Sequence, residues 1–112
     1  KGLEIIADAG QVEQVLINLI NNAGAALAGA SDGRIRLDGQ INDAGRGVIA
    51  VSDNGPGIPE DLHARIFVPF ITTWHGGSGI GLALARQVMI AHGGDIAAGR
   101  SDLGGARMTL TF

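Results

Sequence analysis

Asp53-Asn54-Gly55-Pro56-Gly57-Ile58-Pro59 follows the apolar run Val48-Ile49-Ala50-Val51 and precedes a polar segment with helical spacing. The apolar run, bounded by turn formers, predicts a buried strand, and Pro59 suits the first turn of a helix. Between them lies a glycine-punctuated turn with a carboxylate at its mouth. Gly55 and Gly57 permit positive φ and let another group approach the backbone closely. Asp53, at the end of a buried strand, must reach water or meet a donor, because an unpaired buried carboxylate is costly. The exocyclic amine of adenine is such a donor. Guanine places a carbonyl there and would face the acid acceptor to acceptor. A plain strand-to-helix turn with a solvated Asp53 also fits this stretch by itself, so the decision falls to the rest of the chain.

Upstream, Asp8 offers an N-cap with Gln11 three residues later, opening the strongest helical pattern in the sequence. Val12, Val15, Leu16, Leu19, Ile20, Ala23, Ala26 and Leu27 recur at i, i+3 and i+4, so one face of this helix is core. Gln14, Asn18 and Asn22 stand four apart on its polar side and stack along one line. Asparagine is a mediocre helix former. Either the line is hydrated surface, or Asn22, with Asn18 behind it, offers a neutral oxygen to a hard cation such as Mg²⁺ whose charge phosphates balance. After a turn over Gly29–Gly33, Ile35, Leu37 and Ile41 at even spacings predict a half-buried strand. The turn Asn42-Asp43-Ala44-Gly45-Arg46-Gly47 closes it into an antiparallel hairpin, whose second strand delivers Asp53.

Downstream, 60–67 has the spacing of a short helix, and Phe67-Val68-Pro69-Phe70 reads as a loop anchored by its two phenylalanines. Trp74-His75-Gly76-Gly77-Ser78-Gly79-Ile80-Gly81 reads as a lid. Leu82 to Ala91 is a helix whose start lies among Gly79, Ile80 and Gly81, a favourable place for phosphate. His92 precedes the helix-ending Gly93-Gly94 and reads as structural. Asp95 to Gly99 and the alternating Ala106, Met108, Leu110 and Phe112 are closing strands. This order predicts one α+β domain over 1–112: a two-layer sandwich with helices on one face of a mixed, mainly antiparallel sheet.

Glycine makes up 19 of the 112 residues, well above the usual share of about 7%, without a collagen period or low-complexity tract. The excess belongs to turns and ligand-facing loops. A net charge of −3 gives no footprint for nucleic acid or an anionic membrane. The absence of cysteine excludes disulfides and thiolate metal sites and fits a reducing compartment. No apolar run approaches the ~20 residues of a membrane span. The chain begins without Met on the strand-like Leu3-Glu4-Ile5-Ile6, as a piece of a longer protein would. Gly77, Gly79 and Gly81 are not followed by Lys-Ser/Thr and not enclosed by a parallel βαβ unit, which removes the P-loop and Rossmann readings.

Taken together, Asn18-Leu19-Ile20-Asn21-Asn22-Ala23 resembles the N box of sensor histidine kinases, Asp53 to Pro59 their G1 box, Phe67 to Phe70 their F box, and Gly77 to Leu82 their G2 box. The four stand in the family's order. The resemblance covers most of the chain, up to the Gly-Gly-Ala and closing strand of Gly104 to Phe112, and implies the Bergerat ATP-binding fold shared with gyrase, heat-shock protein 90 and MutL. It implies that Asp53 binds the adenine amine, Gly55 and Gly57 line the base, Asn22 ligates Mg²⁺ and Asn18 supports the metal and phosphate. Gly77, Gly79, Gly81 and Leu82 would shape the lid and the phosphate-facing helix start, Phe67 and Phe70 would anchor it, and Thr109 would help a water hold the base.

ATP-hydrolysing relatives resemble this helix but carry a Glu where Asn18 stands, and an amide cannot act as their general base. The activity implied is transfer of the γ-phosphoryl group of Mg-ATP to a histidine on a dimerising, phosphoacceptor helical domain of the same parent. A response regulator would act downstream, in the cytoplasm, with no nucleic acid or membrane contact. Trp74 departs from the Lys common in short lids, and none of the three histidines has a phosphoacceptor context. Little autophosphorylation is therefore expected of the chain alone. A free-standing serine kinase of the anti-sigma-factor kind, and a degenerate nucleotide- or partner-binding module, are the alternatives.

Overall fold

The computed structural model describes residues 7–68 and 81–112. The strand expected over Leu3–Ile6 and everything expected of 69–80, including Phe70, Trp74, Gly77 and Gly79, lie outside the described residues. Helix α1 spans Ala9–Ala26, and Asp8 caps it by accepting from the Gln11 N–H at 2.9 Å. The Asp8 N–H is taken from across the molecule: it donates to His92 Nε2 at 3.0 Å, while His92 Nδ1 lies 2.8 Å from the Val88 carbonyl. His92 thus ties the start of α1 to the end of α2 (Gly81–Ala91), the structural role its position suggests.

Strands β1 (Ile35–Ile41), β2 (Gly47–Asp53), β3 (Asp95–Arg100) and β4 (Ala106–Thr111) form a sheet in the order β1-β2-β4-β3. Every neighbouring pair is antiparallel, so a parallel component is not found among the described strands. Register fixes the faces. Val51 pairs with Met108 and Ile49 with Leu110, which puts these side chains on one side. There they meet Val15, Leu19 and Ala23 of α1 and Leu82, Ala85 and Met89 of α2 in a single core. The helices lie on one face of the sheet, the two-layer α+β sandwich expected.

Two local expectations are corrected. Residues 60–67 form two 3₁₀ turns, Glu60–Leu62 and Arg65–Phe67, rather than one helix. The segment is too short to repay the cost of an α-helical nucleus, and it is held instead by burying Ile66 and Phe67. Strand β1 is not half-buried through its apolar residues. Leu37 lies opposite Val51, on the helix face, yet Leu37 is 49% and Ile41 63% exposed. Alternation dictates which way an edge strand points; burial needs a neighbour above it. On the long helix, Ile20 likewise stays 37% exposed while Val15, Leu19 and Ala23 are buried.

Candidate functional site

Strand β2 ends at Asp53, which is only 4% exposed, so its charge must be met by donors inside the fold. The backbone supplies them. Oδ1 accepts from the Gly55 N–H at 2.9 Å and from the Ala106 N–H at 3.1 Å, at the start of β4. The main chain beside it is joined as well, through a 3.1 Å bond from the Gly105 N–H to the Asp53 carbonyl. Gly105 is glycine for lack of room: a Cβ there would lie 2.0 Å from Asp53 Oδ1 and 2.6 Å from the Gly55 nitrogen. Oδ2 has no hydrogen-bond partner among the described residues.

The turn itself is clamped from behind. Asn54 Oδ1 accepts from the Arg34 N–H at 2.7 Å, and its Nδ2 donates to the Asp32 carbonyl at 2.8 Å, fastening the turn to the loop after α1. Gly55 lies close under the end of that helix, where a Cβ would stand 3.3 Å from the Ala26 carbonyl and from Leu27. Gly57 has φ +79°, the left-handed conformation anticipated for this turn.

Asp53 lines a recess together with Leu19, Asn22, Ala23, Ala26, Val51, Gly57, Ile58, Ala106 and Met108. The recess as it stands has about 20 Å³ of free room, enough for one water. The apolar lining with few polar groups suits the face of a flat heteroaromatic ring, which would have to displace part of that lining to enter. Asn22 and Asp53, a helix residue and a strand residue 31 positions apart, are the polar side chains in it.

The other candidates distribute unevenly. Asn18 is not in the recess; its Nδ2 donates to the Gly81 carbonyl at 3.2 Å, and Gln14 Nε2 lies 3.4 Å from its Oδ1. It joins α1 to the first residue of α2. Leu82 is 5% exposed and belongs to the core. Thr109 lies on the sheet's other face, opposite Ala50 and Ala97, because the alternation that turns Met108 and Leu110 inward turns Thr109 outward. The recess meets Ala106 instead. Ile58, Ala106 and Met108 also line the recess and Gly105 cradles Asp53, roles that periodicity alone does not reveal, although a Gly-Gly pair opening the last strand is a signal of close backbone approach.

A profile of the family described as histidine kinase-, DNA gyrase B- and HSP90-like ATPase matches residues 7–112. The chain is 38% identical over 96 residues to the C4-dicarboxylate transport sensor protein DctB of Rhizobium meliloti (strain 1021), covering 85% of this chain and 15% of that protein. It is 40% identical over 103 residues to the sensory histidine kinase/phosphatase NtrB of the same organism, covering 80% and 27%. The chain therefore spans less than a third of either relative. Among solved structures, full-length ShkA in complex with AMPPNP superposes with a TM-score of 0.74 at 35% identity, over 94% of this chain and 21% of that one.

Proposed function

This chain belongs to the family of histidine kinase-, DNA gyrase B- and HSP90-like ATPases, and from that premise we propose that it binds Mg-ATP and transfers the γ-phosphoryl group to a histidine of a separate helical domain. The observation that carries the proposal is the buried Asp53 carboxylate, held by backbone on one oxygen, in an apolar recess that also contains Asn22. The names of the relatives, a sensor protein and a sensory histidine kinase, support the same reading. So does the AMPPNP of ShkA, an ATP analogue bound to a protein of matching fold.

In this proposal Asp53 receives the adenine amine, with Gly55 and Gly57 beside the base. Asn22 would hold Mg²⁺ through its amide oxygen. Its neutral donor fits a hard ion carried mainly by phosphate and water, and no cluster of three or more His, Cys, Asp or Glu able to hold a metal occurs among the described residues. When bound, that ion supplies neutralisation of phosphate charge. Gly81 opens α2 toward the phosphates, with Gly77 and Gly79 assigned to them from sequence alone. Leu82 acts through packing. Thr109 takes no part.

A nitrogen of the acceptor imidazole attacks the γ-phosphorus, the bond to the bridging oxygen breaks, and ADP leaves. Neutral imidazole needs no base to become a nucleophile, so the amide of Asn18 is no handicap. Its bond to Gly81 holds the helix carrying Asn22 against the start of α2. The acceptor domain, a downstream response regulator and a cytoplasmic location complete the proposal. Among the described residues no helix is long and apolar enough to cross a membrane.

Calorimetric titration of an ATP analogue with and without Mg²⁺, followed by mixing the chain with a phosphoacceptor helical domain and γ-labelled ATP, tests it. Tighter binding with Mg²⁺ and label on the helical domain are expected. Label appearing only on serine of another protein would favour the free-standing serine kinase. Absence of nucleotide binding would leave a partner-binding module.

A further inference from the structure

Asn54 is the only asparagine of the sequence that is followed by glycine, and it stands in the turn that begins at Asp53. In an Asn-Gly pair no side chain shields the second backbone nitrogen, so that nitrogen can attack the side-chain amide carbon of the first residue. Its proton is lost, the new N–Cγ bond closes a succinimide ring, and Nδ2 takes up a proton and leaves as ammonia. Water then opens the ring at one carbonyl or the other and gives aspartate or isoaspartate. The net change is asparagine plus water to acid plus ammonia, with no other reactant.

The fold ties down each group that this reaction must move. The Gly55 N–H donates to Asp53 Oδ1 at 2.9 Å, and removing its proton there would set an amide anion beside a buried carboxylate. Asn54 Oδ1 accepts from the Arg34 N–H at 2.7 Å, Nδ2 donates to the Asp32 carbonyl at 2.8 Å, and the Asn54 N–H reaches the Arg34 carbonyl at 3.3 Å. Attack makes Cγ tetrahedral, and a planar amide bonded at both ends cannot follow without giving up those bonds. We propose that Asn54 is a deamidation site, protected while the turn is clamped to residues 32–34 and reactive when the clamp opens, whose product prevents the clamp from re-forming. In aspartate a carboxylate oxygen replaces Nδ2 and faces the Asp32 carbonyl, acceptor to acceptor. Isoaspartate also inserts a methylene into the main chain before Gly55, where space is short: a Cβ on Gly55 would stand 3.2 Å from Asp53 Oδ1 and 3.3 Å from the Ala26 carbonyl. The same turn carries Gly57 and Ile58 of the recess, so conversion is a one-way loss of its shape. The effect on nucleotide rests on the nucleotide-binding reading above; the chemistry at Asn54 does not.

The test incubates the chain at neutral pH in three states: native, unfolded in guanidinium chloride, and native with Mg-ATP. Peptide mapping follows the mass gain at Asn54 and separates aspartate from isoaspartate. Conversion should be at least about tenfold slower in the native chain than in the unfolded one, since only the opened fraction reacts. With Mg-ATP at about 100 times its Kd it should slow further, by up to about a hundredfold if the opened turn does not bind. The isolated converted chain, and Asn54→Asp, should bind ATP at least about tenfold more weakly than the parent and melt below it. Native conversion as fast as unfolded, bound ATP that leaves the rate unchanged, or a converted chain that binds and melts like the parent would each overturn the inference. If the converted chain does not fold, the ratio of native to unfolded rates decides. Failure of the parent to bind ATP would overturn the nucleotide-binding reading instead, and the same ratio would still decide on Asn54.

Discussion

At the scale of single residues, the fold distinguishes glycines that are compelled from glycines that are merely present. Gly105 has no positive φ to require it, yet a Cβ would meet Asp53 Oδ1 at 2.0 Å and two backbone atoms within 2.7 Å. Gly24, inside α1, has nothing within 4 Å of a Cβ. Gly105→Ala should therefore lower the melting midpoint by the equivalent of about 2 kcal/mol or more and weaken ATP binding. Gly24→Ala should stabilise by about 0.5–1 kcal/mol, with ATP affinity unchanged. Denaturant melts of both variants check the contrast, and a tolerated Gly105→Ala would mean the turn before β4 can move. Ser52 presents the opposite case. It is 0% exposed and its Oγ is buried without a partner among the described residues. An unmet hydroxyl costs more than a methyl in the same space, so Ser52→Ala should raise stability by about 1 kcal/mol. A loss of stability on urea unfolding would reveal a partner for the hydroxyl.

At the scale of elements, what could be read from the chain was whatever one element's own sequence decides. The cap at Asp8 and the period of Val15, Leu19 and Ala23 belong to α1 alone, and the helix runs where they place it. The alternation of Ala106, Met108 and Leu110 did the same for β4, and followed consistently it already turned Thr109 away from the site. What could not be read depends on two elements at once. The Ala106 N–H reaches Asp53 across 53 positions, and the exposure of Leu37 and Ile41 follows from what fails to cover β1. The surface ion pairs are of this second kind. Arg36 of β1 bonds Asp38 at 2.8 Å and Asp102, in the turn between β3 and β4, at 2.6 Å. The hydrogen bond from Arg36, opposed by desolvation and helped by its charge, lowers the Asp102 carboxyl below its ordinary value. A group depressed in the folded state stabilises above its unfolded pKa, and that contribution disappears as pH falls through the folded one. The pair lies at the surface, with Asp102 well exposed and Arg36 partly so, and is screened, so its effect should be small. Asp102→Asn should melt slightly below the parent at neutral pH in low salt. The difference should vanish in strong acid and in about 1 M salt. A gap that persisted under either condition would assign Asp102 a role other than charge.

At the scale of the whole molecule, the core and the recess share a wall, and that wall ties stability to binding. Leu19 is 1% exposed, lies in the core between sheet and helices, and also lines the recess beside Asp53. Leu110 is 0% exposed in the same core but does not line the recess. Truncation to Ala should cost about 2–5 kcal/mol at either position. A domain of this size has roughly 5–15 kcal/mol to lose, so both variants should retain a folded population. A ligand present at about 100 times its Kd adds about 2.7 kcal/mol to any chain that binds it undiminished. Leu110→Ala should accordingly gain as much from ATP as the parent gains at the same ligand concentration, because Leu110 is not part of the recess lining. Leu19→Ala should gain clearly less, because the same methyl groups that hold α1 to the sheet also form the side of the recess against which the base would pack. Thermal melts of the parent and both variants, with and without Mg-ATP, measure the two gains directly. Equal gains would mean that recess and core are separable, and that α1 contributes Asn22 to the site without contributing its apolar face.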